Sequence, residues 1–460
     1  MLSLRGIPRT RLGPSFNRIW ASVTVSSLGD GMSFVALPLL AAQLTADPRQ
    51  IALVSLAEQL PWLLLGLPSG VLADRFDRRR ILWLVDASRA LLVGALAATV
   101  AAGMVTIPLL ALVAFLLGCG QTLYSGAWAG MVPALVAHGE LTRANARLQS
   151  SSLITDTLLG TPLGALLFGI AAALPFAVDA VSFATAAALV CILRGSFQPR
   201  SQPASKTWTT LRRDTTEGVR WLWRHHLLRR LCLASGITNL VGGGLIAILV
   251  LYARQTLGLS NLGFALLVAS FALGGVAGAM STPRLTARFG APRVLKLTAA
   301  GTAIAAAVAG TATSGPIVGM GIAAYGAANL AWNVTAVSLR QSLVPAELLG
   351  RVAMAYQMVI GIGTALGAVA AGFTAHAFGL RAPFYAGAVL LFAASLISTR
   401  SSEKTAPPSQ SATAVDDGAT GAHRSTGSTP ADDAEMMRQA ASMGVPWSTS
   451  SRARAAMRSW

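Results

Sequence analysis

The chain has 460 residues, of which 53% are hydrophobic and only 12% charged, and its mean hydropathy of +0.59 excludes an ordinary soluble globular protein. The net charge of +18 would suit a nucleic-acid binder, but the basic residues sit in alternate polar breaks between apolar stretches of about 20 residues. Composition therefore points to a polytopic, all-α membrane protein of about twelve transmembrane helices, and not to an enzyme; no Gly-x-x-x-x-Gly-Lys-Ser/Thr phosphate loop is present in the sequence.

In chain order, helix 1 is expected near Ile19 to Leu44, helix 2 near Ile51 to Leu72, helix 3 near Ile81 to Ala102 and helix 4 near Ile107 to Ser125. Helices 5 and 6 follow near Leu148 to Ala171 and Pro175 to Leu193. The basic start (Arg5, Arg9, Arg11) leads into an apolar segment long enough to span, so it reads as a first helix and not a cleaved signal. Arginines concentrate at 75–80, 143–147, 194–230, 284–293, 340–351 and 400, while the intervening loops hold only Arg49, Arg254 and Arg381. That asymmetry predicts a bacterial cytoplasmic membrane protein with both termini cytoplasmic. The expected organisation is a six-helix bundle over 1–194, a cytoplasmic linker over 195–230, a second six-helix bundle over 231–400 and a disordered tail over 401–460. Trp208, Trp221 and Trp223 among arginines in the linker suit an amphipathic helix at a lipid surface. Cys119, Cys191 and Cys232 lack metal-ligand spacing, and no metal is expected.

The halves repeat each other. Asp74 to Leu82 aligns with Ala287 to Leu295 (287 − 74 = 213), Val132-Pro133-Ala134 with Val344-Pro345-Ala346 (344 − 132 = 212), and Gly160 to Ala165 with Gly363 to Ala368 (363 − 160 = 203). The third shift implies a shorter loop before helix 11, lacking the counterpart of Ala137 to Gly139. Two parallel six-helix repeats are a secondary-transporter architecture, with the binding site at the midplane between them.

Against that frame, Gly70-Val71-Leu72-Ala73-Asp74-Arg75-Phe76-Asp77-Arg78-Arg79-Arg80 resembles the loop 2–3 signature of the major facilitator superfamily, with Asp77 in place of its usual second glycine. Gly160-Thr161-Pro162-Leu163-Gly164 is similar to the helix 5 motif of that superfamily's drug:proton antiporters, with Thr161 intervening before Pro162, and its surroundings resemble the macrolide-efflux and enterobactin-exporter-like branch. The resemblance implies a major facilitator fold, a proton gradient in place of any cofactor, and a helix 5 packed closely enough to prevent proton leak. It also implies a cytoplasmic gate in which Asp74 closes against the start of helix 11, with Gly70, Arg75, Arg78, Arg79 and Arg80 completing the motif.

Proton coupling needs an acid within the membrane. Asp30, between Gly29 and Gly31 and roughly 15 Å into helix 1, is the first candidate, followed by Glu58 and Asp156. At an offset of 212 Asp30 falls opposite Gly242, so its charge is not part of the repeated scaffold. Asp86 and Arg89 stand at i and i+3 and are expected to pair on one face of helix 3, and Asp179 to cap or anchor helix 6. Gln121 and Asn333, matched at offset 212, join Asn239, Tyr325, Asn329 and Trp332 as candidates for the cavity wall. The expected partners are a small-molecule substrate, protons and membrane lipid, with no nucleic acid, and the chain is expected to be a monomer. Export of a lipophilic drug-type molecule by proton antiport is the leading expectation; export of an endogenous metabolite such as a siderophore, uptake, or a non-transporting scaffold are the alternatives.

Overall fold

The computed structural model describes residues 13–136, 140–193, 216–217, 219–345 and 348–399. Most of the linker, the tail and Ala137 to Gly139 lie outside the described residues, as do the side chains of residues 70–75. Among the described residues every regular element is helical. A backbone in lipid has no water to bond, so each segment must satisfy its own N–H and C=O groups.

The first half contains α1 (Pro14–Leu44), α2 (Pro48–Arg75), α3 (Arg78–Ala101) and α4 (Ile107–Leu135). Next comes α5, built from Leu141–Ser152, a π-helical stretch Leu153–Gly160 and Thr161–Ile170, followed by α6 (Leu174–Cys191). The second half contains α7 (His226–Leu251, extended by the π-helical Tyr252–Thr256), α8 (Asn261–Phe289), α9 (Ala291–Thr311), α10 (Gly315–Leu343), α11 (Leu349–Phe378) and α12 (Ala382–Thr399). Ten spans among the described residues are long and apolar enough to cross a membrane. The twelve helices expected from the sequence have counterparts in α1 to α12, and the all-α fold is as expected.

The helix ends correct the alignment of the halves. The first residues of α1 and α7 (Pro14, His226) are 212 apart and those of α3 and α9 (Arg78, Ala291) are 213 apart, but those of α4 and α10 (Ile107, Gly315) are 208 apart. The offset of 208 then holds for the starts of α5 and α11 (Leu141, Leu349) and of α6 and α12 (Leu174, Ala382). The shortening therefore lies at the third helix pair, where α9 has 21 residues against 24 in α3, and in the loop that follows, not before helix 11. Val132 to Ala134 lie inside α4, whereas Val344 follows the last residue of α10, so that sequence match is not a structural one. The true counterpart of Gln121 is Asn329, one helical turn before Asn333.

Glycines set the helix spacing. A Cβ on Gly31 would collide with the Asp156 carbonyl, one on Gly160 would lie 2.8 Å from the Leu28 carbonyl, and one on Gly164 2.6 Å from the Met32 carbonyl, so α1 and α5 meet backbone to backbone. The second half repeats this contact: Gly367 faces the Leu240 carbonyl and a Cβ on Gly243 would lie 2.6 Å from that of Thr364. Pro162, near the start of Thr161–Ile170, has no N–H to give, and just before it the Thr161 amide reaches back five residues to the Asp156 carbonyl.

At the end of the bundle where the loops carry few charges, one buried cluster joins both halves, with Val35, Leu39, Phe168 and Phe176 packed together with Leu249, Tyr252, Phe264 and Phe384. At the arginine-rich end the clusters among the described residues are separate, around Leu82 and Met131 or Phe16 and Leu148 in the first half and around Leu231 and Val352 in the second. Gly367→Ala is expected to lower stability by about 1–3 kcal/mol through overpacking against a backbone that cannot yield. Gly169→Ala, whose Cβ meets nothing within 4 Å, is the matched control, and thermal unfolding of the detergent-purified proteins checks the difference.

Candidate functional site: a cavity between the halves

A cavity of about 770 Å³ lies between the halves. That is within the usual size of a small-molecule site. Asp30, Glu58, Asp156 and Arg89 line it from the first half together with Gln121, and Asn239, Tyr325 and Asn329 line it from the second. Trp332, Asn333 and Asp86 do not. Trp332 is buried beside the cavity wall instead, its indole N–H donating to Ser235 Oγ at 3.3 Å, and Ser235 is in turn bonded to the Tyr356 hydroxyl at 2.5 Å. Asn333 is one turn out of register, for the reason given by the 208-residue offset.

Asp30 is placed by its neighbours. Gly29 lies against Ser182 and Asp179 of α6 and Gly31 against Asp156 of α5, in contacts with no room for a side chain, which leaves Asp30 on the face of α1 that looks into the cavity. Asp179, expected only as a helix anchor, also lines the cavity. It is buried, accepts hydrogen bonds from Ser33 of α1 and from Ser182 Oγ at 3.1 Å, and thus both ties α1 to α6 and adds a fourth carboxyl. Its signal in the sequence is an acid inside an apolar stretch, five residues after the first residue of α6. The hydroxyl of Tyr325 is buried, has no hydrogen-bond partner and would lie 3.4 Å from a Cβ on Gly242.

The expected Asp86–Arg89 pair is not hydrogen-bonded. Arg89 donates to Gln121 Oε1 and to the Leu117 carbonyl at 3.5 Å, both on α4, and its guanidinium carbon stands 5.3 Å from the centre of the Phe183 ring. Neither Asp86 oxygen has a hydrogen-bond partner. Gly120 allows this, since a Cβ there would press to 2.9 Å from Arg89 Nε.

Among the described residues, every Asp, Glu and Arg side chain lining the cavity comes from the first half. Their counterparts at offsets 212, 213 and 208 are Gly242 for Asp30, Phe271 for Glu58 and Thr364 for Asp156, all of which line the opposite wall. One wall is therefore acidic and the other neutral and partly aromatic.

The charge-poor end is shut where α2 meets α11. A Cβ on Gly372 would lie 2.5 Å from that of Ala52, and the two helices stay in contact as far as their middles, where one on Gly361 would lie 3.2 Å from Leu63. Above this contact His376 Nδ1 of α11 stands 3.4 Å from Asp47 Oδ1, in the loop before α2. The side-chain and backbone hydrogen bonds of Arg49 hold the Asp47 carboxyl below its ordinary range.

At the other end the loop motif serves mainly the first half. Asp77 has φ −61° and caps α3, accepting from the Arg79 amide at 2.9 Å, so the glycine it replaces is not needed for the turn. Arg79 donates to the Val190 carbonyl at 3.3 Å and to that of Cys191, closing the end of α6. Arg78 is half-buried and Arg80 exposed. The side chains of Gly70, Asp74 and Arg75, and with them the expected latch, lie outside the described residues. At the start of α11, Arg351 pairs with Glu217 of the linker at 2.7 Å. The described linker segment 219–224 is helical, with Leu222 buried and Trp223 and Arg224 exposed.

Residues 12–415 match the family described as transmembrane secretion effector, a branch of the major facilitator group of transporters. The chain belongs to the major facilitator superfamily. Within the superfamily it is 29% identical over 413 residues to the MFS-type transporter YfiS of Bacillus subtilis, a match covering 82% of this chain and 90% of that protein. A 75-residue stretch is 37% identical to the multidrug efflux pump Tap of Mycobacterium tuberculosis and spans 18% of that protein. Among solved structures, a bacterial homologue of the iron transporter ferroportin in its inward-facing state superposes with a TM-score of 0.68 at 17% identity, covering 84% of this chain and 98% of that one. The same homologue in its outward-facing state gives 0.57.

The closed end can be tested directly. Cysteines introduced together as Asp47→Cys and His376→Cys, at positions whose side chains meet at 3.4 Å, should be joined by a short thiol-specific crosslinker, whereas neither single variant should be. Gel mobility after alkylation reads the difference.

Proposed function

We propose that this superfamily member exports a lipophilic small molecule of the drug or antibiotic type from the cytoplasm, by alternating access and in exchange for protons. The observation that carries the reading is the cavity between the halves, with carboxyls on one wall, aromatic rings on both, and an apolar cluster joining the halves at the charge-poor end. With arginine-rich loops on the cytoplasmic side, the cavity opens to the cytoplasm, which is the loading state of an exporter.

The lining offers two kinds of contact. Phe34, Trp62, Phe271 and Phe384 offer apolar and aromatic surface, and Tyr325 and Asn329 offer a few polar groups that orient a ligand. Asp30, Glu58 and Asp156 supply carboxyls that a cationic centre and a proton would compete for. When the closed end opens, protons entering from outside neutralise those carboxyls and release the substrate; loss of the protons to the cytoplasm restores the acidic wall. This exchange requires no bound cofactor. Asp30 is the residue expected to matter most, because it stands where α1, α5 and α6 converge. The local likeness to a multidrug efflux pump supports the export direction.

In everted membrane vesicles, uptake of a lipophilic cationic dye should follow the imposed pH gradient and collapse with a protonophore. Asp30→Asn should reduce gradient-driven uptake at least about tenfold, a loss of roughly 1.4 kcal/mol or more of coupling, while leaving the protein in the membrane. Full retention in Asp30→Asn would remove Asp30 from the coupling role, and transport unaffected by the protonophore would remove proton antiport itself.

A further inference from the structure

The cavity does not account for Asp86. This carboxyl lies behind the wall on α3, is 1% exposed, and has no hydrogen-bond partner on either oxygen. One turn along the same helix Arg89, 5% exposed, has an unused donor in Nε. At i and i+3 the two side chains are within reach of each other. Yet Arg89 is committed to Gln121 and the Leu117 carbonyl on α4, with the rings of Phe183 and Tyr124 at 5.3 and 5.9 Å. A buried carboxylate without a hydrogen bond, beside a cation that ignores it, is a costly arrangement. A neutral carboxylic acid in the same place is far less so.

We propose that Asp86 is a proton-binding site set behind the cavity wall, and that its proton decides which partner Arg89 takes. With the proton on Asp86, Arg89 is bonded to Gln121 and lines the cavity, as seen here. When Asp86 gives up its proton, to a water that enters from the cavity past Arg89, its carboxylate draws Nε of Arg89 back across one helical turn and the bond to Gln121 breaks. The cavity then loses its only lining cation among the described residues, and the acidic wall gains in negative charge without any change at Asp30, Glu58, Asp156 or Asp179.

The surroundings fit a switch and not a fixed ion pair. The titratable or charged groups facing this pair are Tyr124 from α4, Asp30 from α1 and, on α6, Asp179, which shares the field of Arg89. One arginine thus stands among three acids and is bonded to none of them. Gly120 leaves the guanidinium room to pass, because a Cβ at that position would come within 2.9 Å of Nε. The second half has nothing to correspond: Asp86 and Arg89 fall opposite Ala299 and Thr302 at offset 213. The site's use in transport rests on the antiport reading, but its existence does not.

The test needs neither substrate nor gradient. Infrared spectra of the purified protein in lipid, taken from acid to alkaline pH with isotope-labelled arginine, resolve both partners. The wild-type spectrum should contain a protonated-carboxyl band near neutral pH that Asp86→Asn lacks and Asp86→Glu moves. As that band disappears on raising the pH, a labelled guanidinium band should shift, and the shift should be absent in Asp86→Asn and reduced in Gly120→Ala. If wild type and Asp86→Asn have the same carboxyl bands at every pH, Asp86 is ionised throughout and the proposal falls. If the guanidinium shift persists unchanged in Asp86→Asn, Arg89 answers to another acid and the switch falls. Either failure leaves the vesicle experiment on Asp30 untouched, so the two readings are tested separately.

Discussion

Asp30 can stand where three helices converge only because the residues on either side of it have no side chains. Gly29 lets α6 approach and Gly31 lets α5 approach, each to a distance at which a methyl group would collide. The acid is thereby presented to the cavity on a backbone locked from both sides, and Asp156 and Asp179 arrive at the same place because they are carried by the helices that those glycines admit. The π-helical turn of α5 belongs to this arrangement: the Asp156 carbonyl that accepts the Thr161 amide is also the atom that Gly31 touches. Remove the glycines and the carboxyls separate.

The repeat supplies the scaffold twice and the chemistry once. Contacts between α1 and α5 recur between α7 and α11, with Leu28 and Leu240 carbonyls in equivalent roles. The charged residues do not recur; glycine, phenylalanine, alanine and threonine take their places. In the antiport cycle proposed above, equivalent halves rock against one another while the proton-binding carboxyls are held by one of them. Such a division explains why the second half can be so poor in charge and still form half of the wall.

Much of this was legible in the sequence because the bilayer imposes strong rules. Apolar length gave the helices, arginine placement gave the loops, and an acid inside an apolar run marked Asp30, Glu58 and Asp156 as unusual. Register was harder. Val132-Pro133-Ala134 and Val344-Pro345-Ala346 look alike but occupy different positions relative to their helices, and following them moved Gln121's partner by one turn, from Asn329 to Asn333. Side-chain partnership was harder still: i and i+3 spacing made Asp86 and Arg89 neighbours, but spacing cannot say that Gln121 on another helix holds the arginine instead. Nor could it show Trp332 turned away to Ser235.

The apolar cluster shared by the two halves has a thermal consequence. Phe168, Phe176, Phe264 and Phe384 are kept from water only while the charge-poor end is shut, so opening that end exposes them to the vestibule it creates. Exposure of apolar surface raises heat capacity, and the drive to keep it buried weakens on cooling. In the alternating-access cycle proposed above, the balance between the two states is therefore set partly by temperature, with cold shifting it toward the state opposite to the one seen here.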